Sequence, residues 1–186
     1  IPGINNGPDV GWAAKWTSWG DNRVRGVMGA NASSTMADIR DGTSNTFLLL
    51  ELRAGIVSHD VRGTWAMSGA GPSSCWAHGY AGDAVGPNCL FENSDDVAGC
   101  SEVHTAVGAE MLLRQRMPCY KDTSTNPNRQ AGSRSAHQGG VFTCFADGSV
   151  HWISDNIQTS RSWQTPSVWD KLNLSADGLP ISGSAY

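Results

Sequence analysis

The sequence predicts a mainly β fold, α+β at most: an antiparallel sheet with long disulfide-compatible loops, forming one head over residues 1–186. Three observations carry this. Gly accounts for 22 of 186 residues, roughly 12% against about 7% on average, which favours turns and short strands over long helices. Asp147-Gly148 stands between two β-prone runs at 141–145 and 149–153, the strongest short-range hairpin signal a sequence offers. Residues 69–130 are mostly turn chemistry and hold four of the five cysteines, and loops of that length are usually functional or cross-linked.

Taken in order, residues 1–35 are irregular with one helical turn, which would place Trp12, Trp16 and Trp19 on a single face. Asp41-Gly42-Thr43-Ser44-Asn45 is a tight turn. The run 46–52 is a strand, and its uninterrupted apolar stretch at 47–50 suits a central position buried on both faces. Residues 64–67 form another short strand candidate, and 106–116 a helix stopped by Pro118. Gly139-Gly140 lets the backbone turn sharply or approach another chain closely before the hairpin. The hairpin itself would close through a type I′ turn, with positive φ at both Asp147 and Gly148. Trp163 and Trp169 would cover an edge, and Asp177-Gly178 makes a turn before the tail.

Composition excludes several functions. Charged residues are 16% of the chain against about 25% in a typical soluble domain, and the net charge of −4 comes with no basic block, so nucleic acid has no electrostatic footing. The longest uncharged apolar run, 47–50, is far short of the roughly 20 residues that span a bilayer. The chain reads as a soluble head, and it begins at Ile1 with a loop-like segment, as the C-terminal part of a longer precursor would.

The chemistry-bearing motifs are few. No G-x-S-x-G, H-E-x-x-H, Walker A or dinucleotide-binding glycine motif is present, so no catalytic residue is assigned and no cofactor is expected. Glu92, Asn93, Asp95 and Asp96 offer oxygens to a calcium ion, but without the alternating register of a calcium loop, and a solvated acidic loop is the better reading. Cys75 and His78 are spaced like half of a zinc site that has no second half. The cysteines lack C-x-x-C spacing and fit an oxidising compartment. The expected pairs are Cys89–Cys100, closing a short polar loop, and Cys75–Cys119, with Cys144 left as a buried thiol. Eight tryptophans make Trp12, Trp16, Trp19, Trp76, Trp163 and Trp169 candidates for core packing, subunit contact or a sugar platform.

Two longer patterns remain. Residues 39–51 read I-R-D-G-T-S-N-T-F-L-L-L-E, and residues 133–141 read S-R-S-A-H-Q-G-G-V, followed by F-A-D-G-S-V-H-W-I at 145–153. Nine residues separate His137 from Asp147-Gly148. In these segments the chain resembles the H-X9-DG family of prepilin-like proteins of unknown function, numerous in planctomycetes. The resemblance implies a pilin-like head, exported and bacterial, placed outside the cell or in its envelope. It also implies a membrane tie only through an N-terminal helix that this chain lacks, and assembly with itself or with related pilin-like chains. It names no reaction. The signature set is Asp41, Gly42, Asn45, Glu51, Arg134, His137, Gly139, Gly140, Asp147 and Gly148. Asp41, Glu51, His137 and Asp147 are expected to hold the fold together as largely buried groups, with Arg134 and His137 as donors to Glu51. The main expectation is thus a non-catalytic structural subunit. A polysaccharide-binding module using exposed Trp is the alternative, and a hydrolase has no positioned nucleophile to support it.

Overall fold

The computed structural model describes residues 26–28, 34–64, 86–91, 94–95, 97–121, 131–159 and 167–182. Trp12, Trp16, Trp19, Trp76, Trp163, Cys75, His78, Glu92, Asn93, Asp96 and most of the 64–67 segment lie outside them. Its centre is a three-stranded antiparallel sheet in the order β1 (Phe47–Leu50), β2 (Gly140–Phe145), β3 (Val150–Ser154). The mainly β, α+β expectation therefore holds, with α1 (Cys100–Arg114) and α2 (Val168–Asn173) as the helices of the described residues.

The hairpin forms where expected, but its turn differs. Phe145 N–H donates to the Ser149 carbonyl at 2.8 Å and Gly148 N–H to the Phe145 carbonyl at 2.9 Å, while Gly148 takes φ +86°. Asp147 keeps an ordinary negative φ. This is the three-residue loop in which a type I turn is completed by a left-handed glycine, so one residue, not two, must be left-handed. Asp147 is then free to cap the turn, accepting from both the N–H and the hydroxyl of Ser149 at 2.9 and 2.6 Å. At the other end of β2, a Cβ on Gly140 would lie 2.2 Å from the Ile153 carbonyl and 2.7 Å from the Trp152 ring, so only glycine permits this approach.

β1 lies at one edge, not in the centre. Phe47 enters the core, a register shift follows between Phe47 and Leu49, and Leu49 is left 56% exposed. A short apolar run does not say how many strands flank it; β2 takes the central place because it has a partner on each side.

Two apolar cores result. Phe47, Val141, Phe145 and Ile153 from the sheet pack with Ile157, Trp169 and Leu172. Phe47 meets Phe145 edge-on at 5.1 Å and Trp169 at 5.2 Å. Trp169 is thus a core residue in α2, not an edge cover or a surface contact. Its helix begins on a reciprocal cap in which Asp170 N–H donates to the Ser167 hydroxyl and Ser167 N–H donates to the Asp170 carboxylate. The second core gathers Val97, Cys100, Val103, Leu112, Met117, Cys119 and Ala131 around α1.

α1 starts six residues before the sequence suggests and is interrupted at Gly108 (φ 77°, ψ 157°). Its start carries no Ser, Thr, Asp or Asn cap; Gly99 occupies that position, and the cross-link at Cys100 pins the first turn. The disulfide is Cys100–Cys119, with Cα atoms 6.0 Å apart, and Cys89 and Cys144 are free. Both expected pairings, Cys89–Cys100 and Cys75–Cys119, are overturned. After α1 the chain folds back through residues 117–120, where Tyr120 N–H meets the Asp95 carbonyl at 2.6 Å, bringing Cys119 to Cys100. Cys89 is instead drawn toward the hairpin by its neighbour Asn88, whose side chain bonds the Gly140 carbonyl, Asp155 and the Ser135 N–H.

Candidate functional site

The two signature segments run side by side. Ala146 and Asp147 N–H groups donate to the Thr46 and Thr43 carbonyls at 2.9 and 3.1 Å. Asn45 closes its own turn through the Asp41 and Gly42 carbonyls. At the far end, Arg134 N–H and the Ser133 hydroxyl both donate to the Glu51 carbonyl at 2.9 Å, and Asp155 N–H donates to the Gly139 carbonyl at 2.8 Å. Asp41 works over a longer distance: its carboxylate accepts the N–H groups of Asp177 and Gly178 at 2.7 and 2.9 Å, fastening the C-terminal segment to the first motif. Beside it, Asp177 Oδ2 is buried with no hydrogen-bond donor. Burial, and then the neighbouring Asp41 carboxylate, push the Asp177 carboxyl up to about 6 against the pull of the Leu179 N–H.

Arg134 belongs to a buried ionic centre, and Glu51 and His137 to an exposed cluster. Arg134 does not reach the Glu51 carboxylate. It grips Asp95 bidentately at 2.6 and 2.9 Å, and its remaining N–H groups go to Ser94 and to the Cys89 and Arg116 carbonyls. Arg62 donates to Asp95 Oδ2, the oxygen that also accepts Arg134 Nε, at 2.8 Å, is held by Asp60 at 2.8 and 2.7 Å, and donates to the Met117 and Pro118 carbonyls. All five guanidinium N–H groups of each arginine are used. Asp95 also accepts the Gly132 N–H at 2.9 Å. It is therefore no calcium ligand: its side chain is fully buried and its lone pairs are occupied. Burial alone would push its carboxyl up, but the Arg134 charge and hydrogen bonds, with Arg62 behind them, outweigh this and hold it below the ordinary carboxylate range. Two cations face two anions here, closed and neutral, with no group left over for a reaction.

Sequence reasoning missed Arg62, Asp60 and Asn88. Arg62 and Asp60 carry only a weak signal, an Asp two residues from an Arg in a chain with few charges. Asn88 sits between Pro87 and Cys89 in a stretch that reads as a plain turn.

The exposed cluster lies on the outer face of the sheet. The His137 ring meets Phe142 edge-on at 5.3 Å and Trp152 at 5.9 Å, and these two meet each other at 5.0 Å. Glu51 Oε2 accepts the Phe142 N–H at 2.9 Å, while Oε1 stands 3.6 Å from His137 Nε2. His137 is 52% exposed, so it and the exposed Asp147 are not the buried struts expected of them, and Asp41 and Glu51 are only partly buried. Leu49, Val150, Phe142 and Trp152 together leave an apolar outer face on all three strands. Among the described tryptophans, Trp152, rather than Trp169, is presented to the surface. Among the described residues, no helix is long and apolar enough to cross a membrane.

Residues 3–160 match the family described as a protein of unknown function, DUF1559, and the chain belongs to it. No curated protein and no solved structure matches the chain.

Proposed function

We propose that this chain is the head of an exported, non-catalytic, pilin-like structural subunit that assembles with copies of itself or related chains through the outer face of its sheet. One observation carries the reading: the fold buries the Arg134–Asp95–Arg62–Asp60 centre, yet leaves Leu49, Phe142, Val150 and Trp152 exposed together on one face of the sheet. Contiguous exposed apolar surface of this kind marks interaction sites. Among the described residues β3 is an edge strand beside it, the geometry through which sheets add a strand.

The test is a photo-crosslinker placed at Val150 in the full-length protein in its own cells. Crosslinks to a second copy or to a related chain are expected, and Trp152→Asp in the same background should reduce them at least about tenfold without lowering the melting temperature. A face that crosslinks to no protein overturns the proposal. A second reading, a polysaccharide platform, is favoured by the exposed Phe142 and Trp152 rings beside the Glu51 carboxylate, since flat faces with an adjacent acceptor suit a sugar. Crosslinks to glycan alone would select it.

A further inference from the structure

We propose that Cys100, His104 and Cys119 form a second site, unrelated to the assembly face: a disulfide when oxidised and, once a dithiol opens it, a Cys₂His site for a zinc-class divalent ion. A disulfide has no use for an imidazole, yet one stands here. Cys100 is the first residue of α1, and His104 follows one turn later on the same face. The His104 ring is already turned to the third member, with Nε2 3.1 Å from the Cys119 carbonyl. One ligand atom from each of the three residues lies within 4.8 Å of the others. Ligand atoms around zinc stand about 3.3–3.8 Å apart, given bonds of about 2.0–2.3 Å in a tetrahedron, so once the disulfide is opened the two sulfurs move apart and the His104 nitrogen closes in by no more than about an ångström.

Both cysteines are buried and His104 is partly so, which protects a bound ion while leaving one approach. That approach is a pocket of about 170 Å³ lined by His104, Leu112, Pro118, Cys119 and Tyr120. It gives water a way to the fourth position that three protein ligands leave open. The neighbouring acids and bases are accounted for: Asp95 is committed to its arginines, and Lys121 at the pocket rim has the wrong charge to ligate.

The chemistry balances without further partners. The dithiol supplies two electrons and two protons, the S–S bond breaks, two thiols form and the reductant leaves as its own disulfide. The metal then displaces both thiol protons to solvent, and two thiolates, a neutral imidazole and a dication sum to zero charge, which suits a buried position.

Cobalt serves as the probe, because tetrahedral Co²⁺–thiolate sites absorb visibly. The full chain is reduced with a dithiol, desalted without oxygen and titrated with Co²⁺ while circular dichroism follows its fold. The expected result is one Co²⁺ per chain with thiolate charge-transfer absorption, displaced by Zn²⁺, and no such signal from the oxidised chain. Zn²⁺ should also block alkylation of both thiols. His104→Ala should weaken Co²⁺ binding at least about tenfold, as loss of even an outer-shell partner commonly does, and His104→Cys should restore it. Three outcomes overturn the proposal: a reduced, folded chain that binds no Co²⁺; binding unchanged in His104→Ala; or a reduced chain that no longer folds, since then no preformed site exists.

Discussion

The two cores of this chain are built from opposite materials. The sheet-side core is held by shape: Phe47 meets Phe145 edge to face and Trp169 at a tilt, and its strands are short and ordinary. The helix-side core has fewer large side chains, and is held by a covalent bond and by a buried ionic centre at its border. Aromatic packing tolerates partial loss, because neighbours relax into a cavity and the transfer free energy shrinks in steps. A closed ionic network does not, because removing one member leaves the others buried and uncompensated. Gly-rich, turn-rich chain around α1 offers little apolar area, so cross-links and charge take over where burial is scarce.

The largest expected effect breaks the ionic side. Asp95→Ala would strand Arg62 and Arg134 in a dry interior and should destabilise the head by about 3–5 kcal/mol, enough to unfold many domains of this size. Asp95→Asn keeps the volume but not the charge, and should fall short of rescue. Urea unfolding followed by circular dichroism measures both. A loss below about 1 kcal/mol would mean that water reaches the centre and that the two cores differ less than their contents suggest.

A second effect sharpens the comparison through pH, because the two regions titrate in opposite senses. The Asp177 carboxyl is raised to about 6, so the folded state holds that proton more tightly than the unfolded chain does. Its contribution is complete below the ordinary carboxylate value and is lost as pH rises through about 6. A proton on Asp177 gives its buried Oδ2 something to donate to Asp41. Asp95 is lowered, so its contribution is present above the ordinary carboxylate value and is lost on acidification. The melting temperature should therefore fall modestly between pH 5 and pH 7 in the native sequence, and Asp177→Asn should flatten that segment while leaving the acid limb intact. A profile that Asp177→Asn leaves unchanged would remove the carboxyl pair from the account.

How much of this was legible in the sequence follows from the range of each interaction. The hairpin was, because Asp147-Gly148 and its flanking strands act within ten residues, although the left-handed burden falls on Gly148 alone. The reciprocal cap of Ser167 and Asp170 was equally local, yet the helix it starts is not among the elements expected from the sequence, where Trp169 stood as an edge cover. Cys100–Cys119 was not, because pairing among five cysteines depends on where α1 ends and how the chain returns, and loop composition says nothing of either. Asp95 looked like part of a solvated acidic loop because its partners, Arg62 and Arg134, lie 33 and 39 residues away. The signature Asp41 accepts N–H groups 136 and 137 residues distant, partners that the turn it sits in could not announce.

The smallest expected effect decides what the signature histidine is for. His137 is half exposed, its Nε2 stands 3.6 Å from Glu51 Oε1, and its ring rests edge-on against Phe142 and Trp152. An exposed ion pair of that length contributes about 0–1 kcal/mol, and a partly solvated aromatic edge contact no more than about the same. Glu51 keeps its more useful bond, to the Phe142 N–H, whether or not the imidazole is there. His137→Ala should thus cost the isolated head less than about 1 kcal/mol in urea unfolding, against several for Asp95→Ala. Glu51→Ala should cost more than His137→Ala, since it also strips the Phe142 N–H of its acceptor. In the proposed assembly, a residue that the fold barely needs, set on an apolar outer face, serves what that face meets. The same His137→Ala variant should therefore weaken the Val150 crosslink to neighbouring chains while unfolding almost normally. If instead it costs 3 kcal/mol or more, the histidine belongs to the fold after all, and the contrast between a buried ionic centre and an exposed recognition cluster collapses.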